Sequence, residues 1–408
     1  MSGKLILSSK LIIFYMARNI TTGIDVGTYH VKVAIVSAKE KNERGMPKVI
    51  AVGMAESKGL RHGYVTNVRD VANAIRKAVG DAEEKANMKV KKAFVGISGI
   101  GLTSTTVNSF VMTSRADAEI TRLDLKNLQD QCEKDLPRAA IANRRIIYDI
   151  PIQYKIDGFP SLGMPEGLKG NKIEQKNLFI TCLDHHVTDL ISAVNEAGIE
   201  VDDVMAAPIA AGFVTLSKTQ KVAGCVLANI GAETVSIAVY ENNLPTSVEV
   251  FPIGSTDITN DIALGLKVPL EEAEQIKIGA ITGSSYPRKK LEEIIAARLS
   301  DIFELIEAHL KKIGRNGLLP AGIIITGGGS GLTSIDAMAK VALRLPSRVG
   351  TIGPVDTKSS FKDSTWAVAY GLCLWGLHAE EGPEIDASSR LIKQSWKAAG
   401  RWFRQLLP

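Results

Sequence analysis

The sequence lacks the marks of a membrane-spanning, secreted or zinc-binding chain. No stretch reaches the roughly 18 unbroken apolar residues that a spanning helix requires. Cysteine is scarce: Cys132, Cys182, Cys225 and Cys373 lie far apart and form no CxxC pair. Without a secretory signature they read as reduced, mostly buried thiols of a cytosolic protein. His185 and His186 follow Asp184, but no matching Cys/His cluster accompanies them, so a structural role is expected rather than metal ligation. The opening MSGKLILSSKLIIFYMAR loosely resembles a signal peptide, yet Ser8, Ser9 and Lys10 interrupt its apolar run and no A-x-A site follows. It is expected to be a disordered extension, or the product of an upstream start with Met16 as the true one.

Charge of one sign is also missing from the body. The formal charge is +5, and the last 21 residues hold Arg390, Lys393, Lys397, Arg401 and Arg404 with no acid among them. Everything before them is neutral, which excludes a nucleic-acid-binding face. What remains, 45% apolar and 23% charged over 408 residues, is ordinary for a globular protein of two or more domains.

Two segments repeat one pattern. TGIDVGTYHVKVAIV (22–36) and LANIGAETVSIAVY (227–240) align at an offset of 204, bringing Asp25 onto Asn229, Gly27 onto Gly231, Val31 onto Val235 and Ala34 onto Ala238. Each predicts a strand, a glycine turn and a second alternating strand. A repeat this widely spaced suggests two related halves facing one another. Glycine at such a turn lets backbone N–H groups approach an anion. Asp25 could hold a hydrated Mg2+, and Lys32 could reach a β- or γ-phosphate. A single copy would read as an ordinary turn; two copies in register favour phosphate.

Other segments follow in order. GSTDITNDIALGLKVPLEEAEQIKIGA (254–280) reads as a polar loop, a helix bearing Ile258, Ile262 and Leu266, and a second helix on which Glu274 and Lys277 share a face. That pair suits ribose hydroxyls and an adenine edge; the alternative is a solvent-exposed ion pair. AGIIITGGGSGL (321–332) is a buried strand running into glycines against which a flat base can lie, followed by a helix N-terminus. STWAVAYGLCLWG (364–376) is a small-residue helix suited to close packing between halves.

With HGYVTNVRDVANAIRKAV (62–79), these segments resemble the actin, sugar-kinase and heat-shock-chaperone ATPase superfamily, and within it the FtsA family of actin-like bacterial cell-division proteins. The resemblance covers roughly residues 20–378 and the tail. It implies an α/β, actin-like two-domain ATPase fold with an FtsA-type 1C subdomain and a C-terminal amphipathic helix. The implied organisation is an N-terminal extension (1–19), core 1A (20–102 and 179–207), inserted subdomain 1C (103–178), core 2A (208–254 and 317–378), subdomain 2B (255–316), a linker (379–389) and a membrane-targeting helix (390–408). Within 1C, a charged helix (115–135), a strand (146–157) and a Gly/Pro-rich surface loop (158–170) are expected.

The resemblance also implies ATP and Mg2+ as cofactors. It places Asp25, Gly27, Thr28 and Lys32 in the first phosphate loop, with Asp25 reaching Mg2+ through water. Gly231 and Thr234 fall in the second loop, Glu274 and Lys277 on the adenosine helix, and Gly327, Gly328 and Gly329 in the base loop. One position departs from the pattern. The second loop of actin-like ATPases begins with Asp, and here Asn229 stands there, adding no charge to a Mg2+ site. Binding is expected with weak or absent hydrolysis, unless Glu233 or Asp257 substitutes.

On a helix, Leu391, Ile392, Trp396, Trp402, Phe403, Leu406 and Leu407 fall within an arc of roughly 160°. Arg390, Lys393, Lys397, Arg401 and Arg404 gather opposite, which suits the surface of an anionic phospholipid membrane. The alternative is a helix docked on the protein's own core. The acidic, Gly/Pro-containing HAEEGPEIDASS (378–389) reads as a linker that lets it leave. The family resemblance implies self-association into filaments, FtsZ (through its C-terminal peptide) as partner, further division proteins at subdomain 1C, and a peripheral place on the cytoplasmic face of the inner membrane at the division site. Arg288, Lys289 and Lys290, with Arg298 on the next helix, are the expected FtsZ-facing cations. The alternatives carried are a pilus-assembly ATPase of the same fold, or a metabolic kinase, for which no carboxylate base is evident.

Overall fold

A computed structural model describes residues 20–41, 47–280, 286–352 and 364–379. The N-terminal extension, the linker beyond Ala379 and the basic tail lie outside these residues.

Two five-stranded mixed sheets share one plan. In the first, Ile20–Val26 pairs antiparallel with His30–Lys41, which pairs antiparallel with Pro47–Glu56. On its other side Ile20–Val26 runs parallel to Lys92–Ile97, and that strand parallel to Glu200–Ala206. The second sheet repeats this. Cys225–Ile230 pairs antiparallel with Val235–Glu241 and that strand with Leu244–Phe251, while Ile323–Thr326 and Ser347–Val349 add in parallel. Val, Ile and Ala fill both faces of the central strands, as sheets covered on both sides require.

The helix Val68–Ala86 shows how the sequence builds a layer. Asn67 caps it, its side chain accepting from Arg69 N at 3.1 Å and Asp70 N at 3.3 Å, and Asn87 ends it in the left-handed conformation. Val71, Ile75, Ala78 and Ala82 recur at helical spacing and face the first sheet. Gly53 lets that sheet approach so closely that a Cβ there would lie 2.0 Å from the Ala78 carbonyl oxygen. Helices Ala207–Thr215 and Ala367–Ala379 cover the first sheet's core, and Gly371 meets the Ala210 backbone. The small-residue segment therefore ties the end of the second half to the first. The second core is closed by Ser255–Leu266, Leu270–Lys277, Arg288–Lys312 and Ile335–Leu343. Each fully buried Ile, Leu or Phe in either core contributes about 1.5–3 kcal/mol.

Between the halves of the first sheet's chain lies a four-stranded insert in the order Thr103–Met112, Lys172–Leu183, Arg144–Ile156, Phe159–Ser161. Its helix is Arg122–Lys134, shorter than the charged run, because Thr121 and Asp124 form a capping box that starts it there. The Gly/Pro-rich stretch is partly ordered: Phe159–Ser161 returns against Tyr154–Ile156, and Glu119 bridges Lys169. The insert leans on the second half. The Ser104 hydroxyl accepts from Val248 N at 2.7 Å and donates to Val248 O at 3.0 Å, while Thr103 Oγ1 donates to Glu249 at 2.9 Å.

All four cysteines are buried. His186 is buried too, its Nε2 2.7 Å from the Ser98 carbonyl oxygen and its ring edge-on to Tyr64.

Candidate functional site

The two hairpin turns face one cavity of about 720 Å3. Asp25, Gly27, Thr28, Lys32, Gly231, Thr234, Glu274, Lys277, Gly327, Gly328 and Gly329 all line it, although they come from both sheets and from three helical or turn segments. The cavity is the place where the repeat meets itself. In each turn the glycine lies against the carbonyl of the residue three further on. A Cβ at Gly27 would sit 2.9 Å from His30 O, and one at Gly231 3.0 Å from Thr234 O. The turns are thus the same object built twice, and in both a Cβ would crowd the facing carbonyl oxygen.

The side chains differ. Asp25 pairs in register with Lys32 across the first hairpin; Asn229 pairs with Ser236 across the second. Burial pushes the Asp25 carboxyl up to about 6, against the lowering effect of the Lys32 ammonium. Lys32 Nζ donates to Thr365 O at 2.9 Å and lies 5.9 Å from the centre of the Trp366 ring. The short helix Ser364–Trp366 thereby orients the lysine from the far end of the sequence. Burial, then the charge of Lys32, lowers the pKa of His30, so its imidazole favours the neutral form.

Glu274 and Lys277 form an ion pair at 2.6 Å, and the lysine side chain is only 7% exposed, which rules out a solvated surface pair. Lys277 also donates to Thr259 Oγ1 at 2.8 Å and Ser255 O at 3.1 Å, and Thr259 donates to Glu274 at 2.6 Å. The polar stretch expected as a loop before this helix is itself helical from Ser255. Asp257 accepts from Gly254 N at 2.8 Å and so nucleates the first turn. Ser255 and Thr256 consequently present that turn to the cavity.

The glycine run is a single 3-10 turn, Gly328–Gly331, after the strand Ile323–Thr326. Gly327 has φ +86°, and a Cβ on it would stand 2.3 Å from Asn229 Oδ1. Only glycine fits there. A Cβ at Gly328 would meet nothing within 4 Å, so its face is bare backbone. The helix expected next begins only at Ile335, and its N-terminus is separated from the glycines by Leu332–Ser334.

Neither acid suggested in place of Asn229 lines the cavity, and each accepts a backbone N–H. Asp257 serves the helix start, and the Glu233 carboxylate accepts the His62 backbone N–H at 2.5 Å, with His62 Nδ1 3.2 Å from Glu233 O. This clasp joins the second phosphate-loop candidate to a turn of the first half. Sequence reading missed Ser98, Thr365 and Trp366 as cavity residues, because strand order rather than local pattern brings them in, whereas Asn229 lines the cavity as its place in the second loop implied. Of the expected partner cations, Arg288, Lys289 and Lys290 are exposed in the first turn of one continuous helix, Arg288–Lys312. Arg298 lies on that same helix, not the next, and is bound to Asp261 at 2.7 and 3.0 Å. Among the described residues no helix is long and apolar enough to cross a membrane.

Comparison with known proteins agrees with this architecture. Among solved structures, the PilM–PilN type IV pilus biogenesis complex superposes with TM-score 0.65 at 18% identity, covering 88% of this chain and 98% of that one. MreB5 of Spiroplasma citri bound to ADP gives 0.50 at 12%, covering 90% and 100%. Both show the actin-like fold. The profile "SHS2 domain inserted in FTSA" matches residues 101–181, and "Cell division protein FtsA" matches 226–371. Cell division protein FtsA of Pseudomonas aeruginosa is 29% identical over 391 residues, 90% of this chain and 91% of the relative. That of Neisseria meningitidis is 31% identical over 350 residues, 80% of this chain and 82% of the relative. A duplicated hairpin sheet, an SHS2 insert at the expected point and kinship along most of the chain converge on one assignment: the chain belongs to the FtsA family of actin-like cell-division proteins.

Proposed function

We propose that this division protein binds ATP in the cavity between its halves, assembles into filaments, and fastens FtsZ filaments to the inner face of the cytoplasmic membrane through its C-terminal helix. The observation that carries the nucleotide reading is the convergence of all the sequence-assigned nucleotide-binding residues on one cavity of about 720 Å3 between two glycine turns in which a Cβ would crowd a carbonyl oxygen. The residues fit the group. The turns at Gly27 and Gly231 offer backbone to phosphates, with Thr28, Thr234 and Lys32 beside them. Glu274 and Lys277 are placed for the ribose, and Gly327–Gly329 for the base. ATP supplies a triphosphate with bound Mg2+; Asp25 would reach that ion through water. Asn229 brings no second carboxylate, and Glu233 and Asp257 are otherwise engaged, which supports binding with weak or absent hydrolysis.

The membrane reading rests on the tail sequence. Seven apolar side chains at roughly 1.5–3 kcal/mol each, less the cost of folding and partial insertion, give a reversible foothold for one molecule. A filament multiplies it through avidity. For FtsZ, Arg288, Lys289 and Lys290 stand at the positive end of a helix whose first turn holds no acid, a setting that favours an acidic peptide. Arg298, already held by Asp261, serves this surface less directly. Subdomain 1C is the proposed contact for later division proteins. The likeness to PilM keeps a pilus-assembly role as the second reading; the basic amphipathic tail favours the first.

Sedimentation with anionic vesicles tests the proposal. The full chain is expected to pellet with them, more so with ATP, and removal of 388–408 to abolish pelleting while ATP affinity stays intact. A truncated chain that still pellets refutes the tail's role. Electron microscopy of the vesicles then shows whether filaments form.

A further inference from the structure

A second cavity, of about 300 Å3, opens at the joint between the insert and the second half. Thr106 and Lys176 line it from the inserted sheet, Thr246 and Glu249 from the outer strand of the second sheet, and His309 and Lys312 from the end of the long helix. Ile313 is the one apolar residue among its described lining, so charged and hydroxyl-bearing residues dominate it.

The charges around it do not cancel. Arg315 and Glu241 neutralise each other at 2.7 Å. Glu249 takes the Thr103 hydroxyl, and burial raises its pKa even with Lys312 and Arg144 nearby. His309 is held neutral: burial and Lys312 push it down to about 4, and its Nε2 lies 2.8 Å from Ser247 Oγ. The ammonium groups of Lys176 and Lys312 make no ion pair or hydrogen bond with another described side chain, although the Lys312 charge acts on Glu249. One lysine therefore lines the void from each side of the joint, together with Thr106 and Thr246. The carbonyl end of the long helix opposes an anion, but its partial charge is smaller than that of two lysines.

We propose that this joint is a second binding site, taking a small dianion with oxygen acceptors between Lys176 of the insert and Lys312 of the second half. Its guest is a phosphorylated or dicarboxylic small molecule, which braces the two bodies together. The site is independent of the ATP cavity and shares no lining residue with it.

Calorimetry on the full chain, saturated with ATP and at constant ionic strength, tests this with inorganic phosphate and, separately, succinate. One equivalent is expected to bind with ATP present; tighter phosphate binding identifies a phosphoryl guest, tighter succinate binding a dicarboxylate. Lys176→Gln and Lys312→Gln are each expected to weaken binding about tenfold, and Lys→Arg at either position to retain it. Unchanged melting temperatures certify that the variants fold. Saturation by neither anion, competition with ATP, or undiminished binding in the double Gln variant overturns the proposal.

Discussion

The first hairpin and the second have the same backbone and opposite chemistry. At matching positions one carries Asp25 and Lys32 in cross-strand register, the other Asn229 and Ser236. In both turns a Cβ on the glycine would stand at the same distance from the facing carbonyl oxygen to within 0.1 Å. The turn backbone is therefore duplicated, while of the two hairpins only the first carries charged side chains at these positions. On the nucleotide reading proposed above, both turns would offer backbone to the phosphates, and only the first hairpin would offer a carboxylate to the metal.

The largest expected effect breaks the packing of the glycine turn against the second hairpin. Gly327→Ala puts a Cβ at positive φ and against Asn229, at a cost of about 1–3 kcal/mol for the backbone alone. ATP affinity, measured by fluorescence titration, should fall about a hundredfold or more. Next comes the buried acid. The folded pKa of Asp25 is raised, from 3.8 to about 6, so the unfolded chain releases the proton first and apo stability declines as pH rises across that window, then levels off. Asp25→Asn should consequently raise apo stability at pH 7 by about 3 kcal/mol, seen in urea denaturation, while abolishing the Mg2+ dependence of ATP binding. Equal stability of the two proteins at pH 7, or a wild-type apo stability that does not fall between pH 4 and 7, would contradict the assignment. The smallest effect sharpens the asymmetry itself: Lys32→Ala should weaken ATP about tenfold, and Ser236→Ala, at the equivalent place, by no more than about twofold. Equal losses would mean that charge is not concentrated on one side.

Local features were legible in the sequence because their physics is local. Glycine turns, the helical spacing of Val71, Ile75, Ala78 and Ala82, and the pairing of Glu274 with Lys277 three residues apart all follow from short-range geometry. The repeat extended this reach, since the two hairpins announced two sheets of one plan. What the sequence concealed depends on strand order. Trp366 meets Lys32 from more than three hundred residues away, Asp261 claims Arg298 across two helices, and His62 clasps Glu233 across the cleft. Helix starts shifted where one carboxylate decided them, Asp257 at Ser255 and Asp124 at Arg122.

The Ser104 hydroxyl has a consequence beyond the joint. Leu244–Phe251 is the outermost strand of its sheet, and a bare outer strand is a template onto which another chain can zip. By occupying both the N–H and the C=O of Val248, one side chain of the insert stoppers that template in its middle. The sheet is thereby shielded from uncontrolled strand-to-strand stacking along this edge.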